Sequence, residues 1–245
     1  MDKKRDELDR TRKANKKLND FYKEVSTQWA TQESRILGHV ILSPPIGVGA
    51  GSKGYTEDWV VIEIDASKVD ASDFEGNTGI GPGEFIRKVY PNYSRGSGSR
   101  PYPRRGLLRL KGTIPDEEMR KPTVLDEDGD PCLMVIKHGN TTGLTIGRAN
   151  DVYSYACSCS DDGNTKTSKE WTILPSDSKP GSFSKEGDSG SVLVDGGGRI
   201  GGLLTGGAGT TSSLDLTYAT PISLLLERME EKGIYKPNID PALTA

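Results

Sequence analysis

From residue 106 onward, short apolar runs alternate with clusters of turn-forming residues, and this rhythm limits the possible architecture more than any other feature. The runs are Leu107–Leu110, Cys132–Lys137, Leu144–Ile146, Val152–Cys157, Glu170–Leu174, Ser191–Val194, Arg199–Leu204 and Leu214–Ala219. Turn signals separate them, notably Asp126-Glu-Asp-Gly-Asp-Pro131 and Asp161-Asp-Gly-Asn164. β-Branched residues interrupted by Gly, Pro, Asn and Asp at such intervals specify strands joined by tight turns. About six or seven such strands fit one six-stranded antiparallel barrel. With 30 Gly and 14 Pro in 245 residues, the whole chain reads as turn-rich β protein, long enough for one two-lobed domain.

Within this series lies the stretch with the clearest chemistry, Gly187-Asp188-Ser189-Gly190. A serine between glycines presents its hydroxyl clear of neighbouring side chains. The glycines also let backbone N–H groups turn toward a common point, where an oxyanion could be held. The chain then runs through Ser191–Val194, a turn at Asp195-Gly196-Gly197-Gly198, and Arg199–Leu204, a hairpin pattern. The strand-to-helix elbow of α/β-hydrolases does not fit: it requires glycine at position 191, which is Ser, and a helix afterwards.

Gly187-Asp188-Ser189-Gly190-Ser191 resembles the nucleophile motif of trypsin-like (chymotrypsin-fold) serine peptidases, and Lys185 to Gly207 resembles the core of that fold's second barrel. The resemblance implies Ser189 as nucleophile and the N–H groups of Gly187 and Ser189 as oxyanion hole. Asp58-Trp-Val-Val-Ile62 is similar to the strand whose aspartate orients the catalytic histidine, which implies that role for Asp58. The resemblance covers residues 35–64 and 105–232 and is nearest to fungal intracellular members of the group. It implies an all-β, two-lobed antiparallel β-barrel protein with an incomplete first barrel. Phe183 takes the place of the primary-pocket floor, and Thr205, Gly206 and Gly207 that of its wall. A floor without an acid implies an apolar or small side chain in the substrate, a peptide or protein.

The expected division is a charged helical arm over 1–33, a remnant of the first barrel with a connector over 34–104, and the second barrel with a C-terminal helix over 105–245. Leu18, Phe21, Val25 and Trp29 recur at helical spacing, so a helix with a narrow apolar stripe is expected from about 6 to 30. Arg35–Leu42 and Asp58–Ile64 read as strands, the latter apolar on both faces. At the C-terminus, Thr220 is the expected N-cap and Pro221 the first helical residue. Ile222, Leu225, Leu226 and Met229 form one face, and Gly233 stops the helix.

Other features carry bland readings. Gly49–Gly54 and Gly196–Gly201 match the dinucleotide fingerprint, but neither opens a helix in a βαβ unit. Asp126, Asp128 and Asp130 lack the glutamate an EF-hand loop requires, since position 137 is Lys, so no metal is expected. The basic cluster Arg95, Arg100, Arg104, Arg105, Arg109 and Lys111 reads as a solvated connector. A net charge of −3 argues against nucleic-acid binding. Cys132, Cys157 and Cys159 give no disulfide framework. No segment is apolar enough to span a membrane and the N-terminus is charged, so no membrane role and a cytoplasmic location are expected. No cofactor is implied, and oligomeric state is not legible.

The catalytic base is the open point. A serine nucleophile needs one, and the chain has two histidines. His138 lies within a second-barrel strand, where the resemblance gives it no role. His39 has the order His…Asp…Ser, but stands mid-strand only 19 residues before Asp58. Two readings stay open: His39 is the base, or the base lies upstream of Met1 in a longer chain. The few strands legible in the first lobe, and a start inside a charged helical stretch, favour the second. The expectation is therefore a serine endopeptidase-like protein, inactive as given because the base is missing. The alternatives are a pseudopeptidase that binds peptides and a non-catalytic β scaffold.

Overall fold

In the run Leu133 to Gly139, the odd and even positions face different apolar clusters, and that alternation is the key to the barrel. A computed structural model describes residues 2–68, 77–79, 107–125, 129–159, 163–176, 181–209, 215–237 and 239. The chain forms two compact units, residues 1–43 with 60–70, and residues 44–59 with 71–245. Residues 44–59, read from sequence as part of the first lobe, thus group with the second unit. The expected lobe boundary near 105 lies outside the described residues, as do Arg95, Arg100, Arg104, Arg105, Asp126 and Asp128.

The first unit holds helix α1 (Asp2–Gln28), a short helix α2 (Gln32–Arg35), and strands β1 (Gly38–Leu42) and β4 (Val61–Ile64). α1 starts earlier than its apolar stripe, because Lys3, Lys4, Arg5 and Glu7 are good helix formers and the acidic Asp2 and Asp6 suit a helix N-terminus. α2 replaces the start of the expected 35–42 strand: the Thr31 side chain accepts the Ser34 N–H at 3.2 Å and caps it. β1 and β4 pair antiparallel, with His39 opposite Glu63. The segment expected to be buried on both faces is not: Val60, Ile62 and Ile64 are exposed, because the face they line in the β1–β4 pair is left uncovered by the described residues.

The second unit is organised by six strands: β7 (Leu133–Gly139), β8 (Gly143–Ala149), β10 (Thr165–Pro175), β13 (Leu216–Pro221), β12 (Ile200–Ala208) and β11 (Val192–Asp195). Each pairs antiparallel with the next in that order, and β11 pairs back to β7. The ring is closed, which removes the unpaired edges an open sheet would expose. Leu133, Val135, Trp171, Ile173, Phe183, Leu193 and Ala219 form one buried cluster. Ile136 and Val194 form the other with Leu108, packed by Leu144, Ile146 and Val192. Neighbours in sequence therefore enter different clusters, as strand periodicity requires.

Around the ring lie β2 (Gly47–Ala50), β3 (Tyr55–Glu57), β5 (Asn77–Gly79), β6 (Leu107–Arg109) and β9 (Ser154–Cys159). The expected strand at 152–157 is β9, which pairs with the first half of β10 outside the ring. The expected strand at 107–110 is β6, paired with β5. Among the described residues no second closed ring occurs.

Helix α3 (Asp116–Arg120) is tied to the β11–β12 turn by Arg199, whose two terminal nitrogens donate to Glu118 at 2.7 and 2.6 Å. The same arginine donates to Asp195 from Nε at 2.7 Å. The C-terminal helix α4 (Ile222–Glu231) buries Ile222, Leu224 and Leu225, worth roughly 1.5–3 kcal/mol each. Its cap differs from expectation by one residue. Pro221 occupies the N-cap, and the Thr220 hydroxyl instead donates to the Thr56 carbonyl at 2.6 Å. Gly233, at φ +90°, follows the helix as expected. Arg228 on α4 holds Glu57 of β3 with two hydrogen bonds of 3.0 Å.

Candidate active site

Gly187 to Ser191 form a bend that feeds β11, and one buried carboxylate shapes it. Asp188 is 1 % exposed. Its Oδ1 accepts the N–H groups of Thr141 (2.7 Å) and Thr142 (3.1 Å). Its Oδ2 accepts the Thr142 hydroxyl (2.6 Å) and the Lys185 N–H (3.1 Å). Lys137 Nζ lies 3.2 Å from Oδ2, and neither side chain is reached by solvent. Lys137 shares the register of Leu133 and Val135, so its side chain runs inward. There it also bonds the Thr142 hydroxyl and sits 5.5 Å over the Phe183 ring. Burial pushes the Asp188 pKa up, but the Thr142 hydroxyl and the N–H groups of Thr141, Lys185 and Thr142 outweigh it, holding the carboxyl well below the usual range. Burial lowers the Lys137 pKa, opposed by Asp188.

The carboxylate thereby fastens the bend to the β7–β8 turn. Thr141 adds a second tie by donating to the Glu186 carbonyl at 2.8 Å. Two glycines are required for this closeness. A Cβ at Gly139 would lie 2.3 Å from Asp188 Oδ1, and one at Gly187 would lie 2.5 Å from Thr141 Oγ1. Gly187 also has φ +92°, which other residues adopt only with strain.

Within the bend, the N–H of Asp188 bonds Lys185 O (3.0 Å), that of Gly190 bonds Leu204 O (2.8 Å), and that of Ser191 bonds Asp188 O (3.1 Å). The N–H groups of Gly187 and Ser189 have no acceptor among the described residues. Ser189 is exposed, and its Oγ donates a long 3.4 Å bond to Leu204 O. The bend thus spends three donors on its own shape and leaves two beside an accessible hydroxyl.

No protein-family model and no curated protein matches the chain. Solved structures with similarity to it include the Nocardiopsis protease NAPase, at 17 % identity over 58 % of this chain and 56 % of that one, TM-score 0.34. Thermobifida fusca protease A is similar at 17 % identity over 73 % of each chain, TM-score 0.38. Cellulomonas bogoriensis chymotrypsin is similar at 15 % identity over 79 % of this chain and 87 % of that one, TM-score 0.38. The chain spans little more than half of the Nocardiopsis protease.

The remaining sequence-expected residues are placed as follows. Thr205, Gly206 and Gly207 lie on β12, and the Thr205 hydroxyl donates to Tyr218 O at 3.3 Å. Phe183 is 2 % exposed and sits in the larger core cluster, so its ring is a packing element beneath the bend. Asp58 follows β3 in the second unit, is exposed, and makes no hydrogen bond or ion pair among the described residues of that unit. The buried carboxylate of that segment is its neighbour Glu57. In the first unit, His39 is largely exposed, with Nε2 3.2 Å from Glu63 across the β1–β4 ladder. His138 is exposed on β7.

Sequence reading missed Lys137, although the in-register series Leu133, Val135, Lys137 was a signal for an inward-pointing cation. It also missed Asp215, whose Oδ2 accepts the Phe183 N–H at 2.9 Å. Burial raises the Asp215 pKa against that hydrogen bond and the Lys185 charge. No sequence signal links positions 183 and 215, which pairing across the barrel brings together. Among the described residues no group of three or more His, Cys, Asp or Glu could hold a metal ion, and no helix is long and apolar enough to cross a membrane.

Proposed function

We propose that the chain is a serine endopeptidase-like protein whose peptide-bond chemistry centres on Ser189. One observation carries this reading: the exposed Ser189 hydroxyl is flanked by two uncommitted N–H groups, on Gly187 and Ser189, in a bend braced by Asp188. Those donors are what a tetrahedral oxyanion requires, and a braced bend need not reorganise to supply them. The substrate is a peptide or protein lying along β12 at Thr205 to Gly207, with Phe183 supporting the pocket from below. Asp58 retains the role of orienting an imidazole.

Without a base at Ser189 the chain is inactive or nearly so. Within its own unit, Ser189 Oγ has Leu204 O as its acceptor and no imidazole. His39 is engaged by Glu63. In a serine protease, losing the base costs on the order of 10⁶ in turnover. The same observation favours a second reading, a pseudopeptidase that holds peptides through the cleft without cleaving them.

A fluorophosphonate probe, with free imidazole added to stand in for the missing base, separates these readings. Labelling that disappears in Ser189→Ala supports an oxyanion hole able to stabilise the phosphonyl adduct. Absent labelling together with saturable binding of extended peptides supports the pseudopeptidase. Neither labelling nor binding leaves a β scaffold and rejects both.

A further inference from the structure

Helix α1 is 27 residues long, and every described side chain from Lys4 to Ala30 is exposed. Yet it is not polar all round. Leu8, Leu18, Tyr22, Val25 and Trp29 stand out to solvent, from 38 % exposed at Val25 to 71 % at Tyr22. An isolated helix of ordinary composition is only marginally stable in water, and an apolar stripe left in solvent does nothing to hold it.

The stripe follows a heptad. With Leu8 at position a, the a row is Leu8, Asn15, Tyr22 and Trp29, and the d row is Lys4, Thr11, Leu18 and Val25. The positions facing away are charged or polar: Asp9, Arg10, Lys13, Lys16, Lys17, Asp20, Lys23, Glu24 and Thr27. A 3.5-residue period with a polar outer face is the pattern of a coiled coil. Phe21, at g, broadens the seam beside Tyr22.

We propose that two copies of this chain associate through α1 as a parallel, in-register, two-stranded coiled coil. Two features commit the occupant to a second copy. The first is Asn15 at an a position. In register it meets Asn15 of the other copy and their amides bond one another, whereas in the antiparallel arrangement an a residue faces d residues and the amide is buried against apolar neighbours. The second is charge complementarity. In a parallel pair each g residue meets the e residue of the following heptad on the other helix, here Glu7 against Arg12 of the second copy, formed twice by symmetry. The association bears on the arm and not on Ser189, so it stands whether or not the peptidase reading does.

Sedimentation equilibrium of the full chain tests this. The expected result is a reversible monomer–dimer equilibrium that Leu18→Asp weakens by at least ~10-fold, since the charge would be buried at the seam. Glu7→Arg and Arg12→Glu each weaken the dimer, by about fivefold, and the two together restore it, because the pair is re-formed with signs exchanged. Far-ultraviolet circular dichroism should show helix content rising with concentration. All these changes lie on an exposed helix and leave the barrel intact, which a near-ultraviolet spectrum checks. A monomer at every concentration, a dimer indifferent to Leu18→Asp, or charge reversals that do not rescue one another would each overturn the proposal.

Discussion

Lys137 Nζ and Asp188 Oδ2 lie 3.2 Å apart beneath the Ser189 bend, with both side chains wholly shielded from solvent. The pair is asymmetric in its support. Asp188 has four further hydrogen-bond donors, two from Thr142 and one each from Thr141 and Lys185. Lys137 has the Thr142 hydroxyl, the Gly143 carbonyl at 3.3 Å and the Phe183 ring.

That asymmetry sets the order of two substitutions. Asp188→Ala leaves a buried ammonium uncompensated and four donors unpaired, so it should cost about 3–5 kcal/mol. Lys137→Met leaves Asp188 its other hydrogen bonds and should cost less, about 1–3 kcal/mol. Urea unfolding measures both. If the lysine change proved the costlier, the carboxylate would not be what shapes the bend. Imidazole-assisted phosphonate labelling at Ser189 should fall in parallel with the Asp188 change.

The same carboxylate predicts an acid limb. Its folded pKa is depressed below the ordinary aspartate value of 3.8 because hydrogen bonds favour the ionised form over the opposing effect of burial. Stability from this group is therefore fully present above the unfolded value. It is lost as pH falls below about 4 and through the folded value. Denaturant midpoints measured downward from pH 6 should fall in that window. In Asp188→Asn this part of the acid dependence should be missing.

Glu170 predicts the opposite sign. It is 2 % exposed, with Oε1 accepting Thr56 (2.5 Å) and Ser168 (2.6 Å) hydroxyls and Oε2 without a partner among the described residues. Burial raises its pKa against those two hydrogen bonds. A raised carboxyl pKa means the folded state binds the proton more tightly, so stability is lost as pH rises from the unfolded value of 4.5 through the folded one. Glu170→Gln keeps an acceptor and removes the buried charge. At pH 8 it should raise Tm by about 2–4 °C, equivalent to roughly 1 kcal/mol in a chain of this size. A drop in Tm would show that the charge is needed.

Gly206 offers a test of the proposed peptide cleft that spares the fold. A Cβ there meets nothing within 4 Å among the described residues, whereas one at Gly207 would lie 2.7 Å from the Leu216 carbonyl of the next strand. Gly206→Leu should therefore change stability by less than about 0.5 kcal/mol. It should also weaken extended-peptide binding at least ~10-fold, about 1.4 kcal/mol, by filling the space alongside β12. Unchanged affinity in fluorescence anisotropy would remove β12 from the binding surface.

What could be read before the structure divides along physical lines. The strands of the ring were legible because their signal is local: apolar alternation and turn residues lie within a few positions of one another. Ser189 between its glycines was legible for the same reason, and so were the stripe of α1 and the glycine after α4. The depth to which a strand is covered was not legible. Asp58–Ile64 has the apolar content of a strand buried on both faces, but among the described residues its Val60, Ile62 and Ile64 face stays exposed, and composition does not show what packs over a face.

The chain alone determined that this is a β protein built on a bend that presents a serine, with a charged helix ahead of it. Tertiary structure decided which strands close the ring, that Lys137 rather than a surface group neutralises Asp188, and that Asp215 meets the Phe183 backbone. It also put Glu57, not Asp58, in the protein interior. Each of these depends on pairing between residues tens of positions apart, and such pairing is selected by the free energy of the whole closed barrel rather than by any short stretch of sequence.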